Sequence, residues 1–196
     1  QLPHPLPPAP TWKSIYPAQG REKAQVQLFL GCVARALDTL TLQAAVWLLN
    51  RLGVTVHIPP QQGCCGALHH HQGHLQTSYD LARNNQAAFQ PDLPLLSTAS
   101  GCGAQLARHL PQHQDIITYL AECDWSMLTR TPLTQPIWWH LPCSQRNGLG
   151  EEKFLRTLLS RLEAPSCEPL PENTLCCGGA GLYSSTHPHL AQALQA

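Results

Sequence analysis

Two Cys-Cys-Gly triplets, Cys64-Cys65-Gly66 and Cys176-Cys177-Gly178, constrain this chain more than any other feature. Vicinal cysteines rarely reach the geometry of a disulfide with each other. Each pair instead puts two sulfurs on one loop, which suits a metal. Each triplet also follows an earlier cysteine at nearly the same distance: 31 residues separate Cys32 from Cys64, and 32 separate Cys143 from Cys176. Two such steps read as an internal repeat. The cysteines number nine, an odd count, and the chain opens on Gln1-Leu-Pro-His-Pro rather than on the basic-then-apolar order of a secretory signal. A disulfide framework is therefore not expected, and a cytoplasmic location, where thiols stay reduced, is.

Apolar residues make up 43% of the sequence, enough for a packed core, and the formal net charge is zero, with 12 basic and 12 acidic residues. That balance offers no electrostatic footprint for nucleic acid. No apolar run approaches the roughly 20 residues of a transmembrane helix, so membrane association is expected only peripherally, through a complex. The Pro-rich opening, residues 1–23, reads as a linker or wrapping arm.

From Val26 a strand–helix rhythm begins. Val26–Leu30, Val54–Ile58 and Leu93–Thr98 read as strands; Leu40–Leu52 and Leu75–Phe89 read as helices, the first stopped by a left-handed Gly53. Ile137–His140 starts the rhythm again, followed by a helix over Glu151–Leu162 and another near His189. Strands alternating with helices predict an α/β fold with parallel sheets and cysteine loops at the strands' carboxyl ends. The expected division is a first cysteine-rich unit over 24–131 and a second, incomplete one over 132–196.

In the first unit Cys32, Cys64, Cys65 and Cys102 come from three loops expected to emerge at one sheet edge, with glycines beside them that permit close backbone approach. Soft thiolates suit an iron–sulfur cluster or zinc. In the second unit the candidates are Cys143, Cys176 and Cys177. The chain ends nineteen residues after Cys177, so no counterpart of Cys102 is expected there, and weaker metal retention is. Cys123 and Cys167 lie outside the repeat and read as packed thiols. His69–His71 read as a solvated loop, His140 as an ordinary strand-end histidine, Arg83 and Asn84 as a solvated helix face, and Trp138-Trp139 as core. There is no nucleophile constellation, phosphate loop or flavin fingerprint; Gly178-Gly179-Ala180-Gly181 lacks the order of a dinucleotide motif.

These motifs carry a resemblance. Gly31-Cys32-Val33, Gly63-Cys64-Cys65-Gly66-Ala67-Leu68-His69-His70-His71, Ala82-Arg83-Asn84-Asn85, Ser100-Gly101-Cys102-Gly103-Ala104, His140-Leu141-Pro142-Cys143 and Cys176-Cys177-Gly178-Gly179-Ala180-Gly181 are similar to the glycolate oxidase iron–sulfur subunit family. Its paired CCG, or cysteine-rich, domains are related to those of heterodisulfide reductases and lactate-utilisation proteins. The resemblance covers roughly residues 24 to 196. It implies two tandem Rossmann-like repeats, a 4Fe–4S cluster held by the seven cysteines above, His71 facing the site, electron transfer without catalysis by this chain, and FAD-binding partner subunits. It departs from the family in lacking the ferredoxin-like segment with its two Cys-x-x-Cys-x-x-Cys runs, in carrying Ala99 where related domains have a cysteine, and in stopping after Cys177. A fragment or shortened subunit is the expectation. A zinc-binding or metal-free scaffold that docks flavoprotein subunits is the alternative, and thiol–disulfide catalysis a third reading.

Overall fold

A computed structural model describes residues 10–171, 175–179 and 181–195. The first nine residues of the Pro-rich opening lie outside that range. Of the remainder, Ile15–Tyr16 forms β1, which pairs antiparallel with β3 (Val54–His57), and Trp12 and Tyr16 pack against the core.

The larger sheet has the order β1-β3-β2-β4-β5, with β2 at Ala24–Phe29, β4 at Leu95–Ser97 and β5 at His113–Asp115. Every pairing other than that of β1 is parallel. Alternation along β2 builds the two layers. Val26, Leu28 and Leu30 face a core shared with Leu42, Val46 and Leu49 of α2 (Thr39–Arg51) and Ile116 and Leu120 of α6 (Ile116–Glu122). Phe29 faces the opposite layer, packing with Cys65, Ala67, Phe89, Leu95 and Leu106. The helices of that layer are α3 (Ala67–His71), α4 (Leu75–Ala88) and α5 (Ser100–Leu106). A short α1 (Ala34–Leu37) precedes α2. This is the mostly parallel α/β architecture that the strand–helix rhythm predicts, and Gly53 takes the left-handed turn expected of it, at φ 84°.

The rhythm restarts where expected. Strand β6 (Ile137–Trp139) leads into a π-helical turn (Ser144–Leu149) and α7 (Glu152–Leu159), and α8 (Tyr183–Thr186) and α9 (Pro188–Gln195) close the chain. β6 pairs in parallel with β7 (Cys167–Pro169), as β2 does with β3. Cys167, expected outside the repeat, is thus part of its second strand. Of the two tryptophans expected in the core, Trp139 is buried but Trp138 is 58% exposed. Strand alternation turns successive side chains to opposite faces, and in this two-stranded sheet only one face is covered at that point.

The repeats are packed together. α6 lies on α7, and α5 on the π-helical turn. Arg161, just past α7, donates to the carbonyls of Cys123 and Leu120 at the end of α6, at 2.8 and 3.3 Å. Between the same helices Thr118 donates to the buried Glu151 at 2.9 Å. Among the described residues no helix is long and apolar enough to cross a membrane.

Candidate metal centre

Parallel strands β2, β3 and β4 deliver three segments to one edge of the sheet. Cys32 follows β2, Cys64 and Cys65 follow β3, and Cys102 follows β4. All four line a single cavity of about 240 Å³, with Val33, Ala67, Leu68 and His71 around them. Their convergence was expected; the setting of Cys102 was not, for it lies in the first turn of α5 and not in a loop. Gly103 makes that placement possible, since a Cβ there would meet Ser97 Oγ at 3.0 Å and His113 Cε1 at 3.1 Å. The helix can therefore lie directly on β4 and β5.

The sulfurs lie close to one another. Cys32 Sγ is 3.6 Å from Cys64 Sγ, Cys64 hydrogen-bonds with Cys65, and Cys65 with Cys102. The group resists ionisation. Burial raises the Cys32 thiol; the hydrogen bond to Cys65, followed by burial, pushes Cys64 far above the ordinary thiol range; and the hydrogen bond to Cys102 lifts Cys65 to about 11. Only Cys102 is lowered, because the Cys65 thiol donates to it. Four thiolates at this spacing need positive charge among them, which is what a metal supplies.

Buried, uncharged side chains fix the segments that carry these cysteines. Gln62 accepts from Leu30 N at 2.7 Å and donates to Leu28 O at 3.1 Å, tying the end of β2 to the approach to Cys64. Asn85, wholly buried on α4, accepts from Gly63 N and donates to Cys64 O, both at 2.9 Å. Gln105 of α5 donates to Ser78 Oγ at 3.1 Å, and Ser78 donates to Gly66 O at 3.2 Å. That chain links the Cys102 helix to the Cys-Cys-Gly turn. Sequence reasoning missed these polar groups, although Asn85 lay within a stretch that carried the resemblance.

The second repeat copies the turn. Gly66 N lies 3.4 Å from Cys64 Sγ, and Gly178 N lies 3.4 Å from Cys176 Sγ. Both glycines are left-handed, at φ 80° and 68°, a conformation that favours glycine. Cys143, Cys176 and Cys177 are exposed and do not line the first cavity. Another part of the second repeat does reach it. Gly181 lines the cavity, and a Cβ there would meet Leu68 Cδ2 at 3.2 Å. Ser144, next to Cys143, lies 2.7 Å from Ser100, two residues before Cys102, hydroxyl to hydroxyl.

The other candidates separate from this centre. His71 is solvent-exposed but lines the cavity; His70 instead contacts Arg108 at 2.8 Å, and His140 is exposed. Cys123 packs on the larger core. Arg83 pairs with Asp80 on the surface, and Asn84 donates to Gln61 O at 3.2 Å. Among the described residues no group of three or more His, Cys, Asp or Glu is arranged to hold a metal ion. The four thiols share one cavity.

A parallel α/β sheet with thiols gathered at its edge, followed by a second unit that repeats the Cys-Cys-Gly turn, defines a tandem cysteine-rich protein. The chain belongs to the CCG cysteine-rich domain family, whose pattern matches residues 26–107 and 137–196. It is 30% identical to the probable glycolate oxidase iron–sulfur subunit of Bacillus subtilis over 86% of this chain and 42% of that one. It is also 30% identical to the glycolate oxidase iron–sulfur subunit of Escherichia coli, over 96% and 51%, and 27% identical to lactate utilization protein A of Bacillus pumilus, over 82% and 74%. The chain spans about half the length of the glycolate oxidase subunits it matches.

Proposed function

We propose that this chain serves as an iron–sulfur electron-transfer subunit of a multi-subunit glycolate, or other 2-hydroxy acid, oxidase or dehydrogenase. Electrons would come from a flavin on an FAD-binding partner subunit, since hydride chemistry on the acid belongs to the flavin and single-electron carriage to a cluster. Relatives named as iron–sulfur subunits of glycolate oxidase support the reading. The observation that carries it is the convergence of Cys32, Cys64, Cys65 and Cys102 on one cavity.

The donor set fits an iron–sulfur cluster. Thiolates are its usual ligands, and a polynuclear cluster takes each thiolate on a different iron, whereas tetrahedral zinc needs its ligands around one point about 2.3 Å away. Four thiols lining a cavity far larger than a single ion favour the former. On this reading Cys32, Cys64, Cys65 and Cys102 hold a 4Fe–4S cluster, and Cys143, Cys176 and Cys177 form a weaker second ligand set. The two repeats correspond to residues 24–131 and 132–196. A reducing compartment such as the cytoplasm suits nine unbridged thiols.

Anaerobic purification followed by iron and sulfide analysis tests the proposal. Iron and acid-labile sulfide in equal amounts, bleached by dithionite and lost in Cys65→Ser, are expected. One zinc per chain without sulfide would replace it with the scaffold alternative.

A further inference from the structure

Cys32 and Cys64 bring an exposed thiol against a partly exposed one. Cys32 is exposed and Cys64 half-buried, with their sulfurs 3.6 Å apart, whereas Cys65 is 5% exposed. A disulfide needs a sulfur separation near 2.05 Å, so the two sulfurs have about 1.5 Å to close. The competing pairings are poorer. Cys64 with Cys65 would require a vicinal bridge, and in the Cys65–Cys102 pair one partner, Cys65, is buried. The backbone on either side of the closing pair is already tied by Gln62, which spans the end of β2 and the approach to Cys64.

We propose that Cys32 and Cys64 form a reversible disulfide when no metal holds them, a modification site at the mouth of the cavity. Hydrogen peroxide is the oxidant; only a thiolate attacks it, so the raised Cys32 and Cys64 thiols react slowly, and their contact rather than their acidity selects the pair. Two thiols and one peroxide give one disulfide and two waters: the S–S bond forms, the O–O bond breaks, each sulfur gives up one electron, and both thiol hydrogens leave in water. The bridge removes two of the four ligands, so metal entry requires prior reduction. The inference concerns the same thiols as the iron–sulfur reading and rests on that reading only in the uptake measurement below.

The test uses the full chain, freed of metal by chelation under reducing conditions, desalted and treated anaerobically with one equivalent of hydrogen peroxide. Trypsin separates residues 24–35, which hold Cys32, from residues 52–83, which hold Cys64 and Cys65. The expected result is a loss of 2 Da, a crosslink between those two peptides reversed by dithiothreitol, its survival in Cys65→Ser and its absence in Cys32→Ser and Cys64→Ser. Circular dichroism confirms that each variant is folded. A first link from 24–35 to the peptide carrying Cys102, an undiminished 2 Da loss in Cys32→Ser, or oxygen adducts without a crosslink would overturn the proposal. Iron and sulfide uptake is then measured on both forms. The oxidised chain should take up less than a tenth of the iron of the reduced chain until dithiothreitol is added, and equal uptake would also overturn it. Absence of uptake by the reduced chain, with the crosslink present, would overturn the iron–sulfur reading and leave the disulfide standing.

Discussion

Replacing Asp115 by asparagine should change how stability depends on pH rather than lower it everywhere. Asp115 caps α6, accepting from Ile117 N at 2.9 Å, and is only 2% exposed. Burial, with a smaller repulsion from Glu151, lifts its carboxyl from an ordinary 3.8 to about 7. The folded chain therefore binds more protons than the unfolded one across that window, so this group stabilises the fold at low pH and loses its contribution as pH rises towards 7. At about 1.4 kcal/mol per pH unit the window amounts to roughly 4 kcal/mol. His113, two residues earlier on β5, acts with the opposite sign. Burial lowers it from 6.5 to about 4, so the fold is favoured above 6.5 and loses about 3 kcal/mol by pH 4. The two contributions nearly cancel between pH 4 and 6.5 in the wild type. Asparagine caps helices as well as aspartate does, so Asp115→Asn should keep the Ile117 bond while removing the carboxyl's titration. Urea unfolding of the reduced, metal-free chain at pH 5 and pH 7.5 measures the difference. The variant should gain on the wild type by at least 2 kcal/mol between the two, and its own stability should climb with pH where the wild type stays flat. An equal difference between variant and wild type at both pH values would refute the reasoning.

Asn85→Ala strands Gly63 N and Cys64 O, and at the usual penalty for such groups should cost about 2–3 kcal/mol in urea unfolding; an undiminished midpoint would show that the clamp does not fix the turn. Gly181→Val puts a branched side chain at φ +64°, against Leu68, and should reduce iron uptake by the first repeat although every cysteine is intact; uptake equal to wild type would separate Gly181 from that site. Under mild chelation Cys65→Ser should lose more iron than Cys177→Ser, measured as iron per chain, and equal losses would contradict the weaker second set.

Much of this architecture was legible because short apolar runs need no tertiary help to be read. Val26–Leu30 and Val54–Ile58 carry their burial in their composition. β5 is His113-Gln114-Asp115 and β7 is Cys167-Glu168-Pro169, so neither resembles a strand until a neighbour supplies its ladder. α5 begins Ser-Gly-Cys-Gly, poor helix formers, and forms where Gly103 lets it lie on the sheet. The convergence of Cys32, Cys64, Cys65 and Cys102 followed from topology, since successive parallel strands end at one edge. The supporting groups did not. Asn85, Gln62 and Gln105 drew no reading from the sequence, because polarity alone does not reveal which side chains will be buried against backbone. The contact of Gly181 with the first cavity was equally hidden, as it depends on how one repeat docks on the other.

The clamps around the Cys-Cys-Gly turn are carboxamides and a hydroxyl: Gln62, Asn85, Gln105 and Ser78. None of them titrates in the physiological range, so none would have to gain or lose a proton if an electron reached the sulfurs beside it. Dipoles already fixed in place need little rearrangement as charge comes and goes. For a redox centre that means a small reorganisation energy. Under the proposed electron-transfer role the neutral cradle would bear on how fast an electron passes, while the ligands would govern the potential at which it does so.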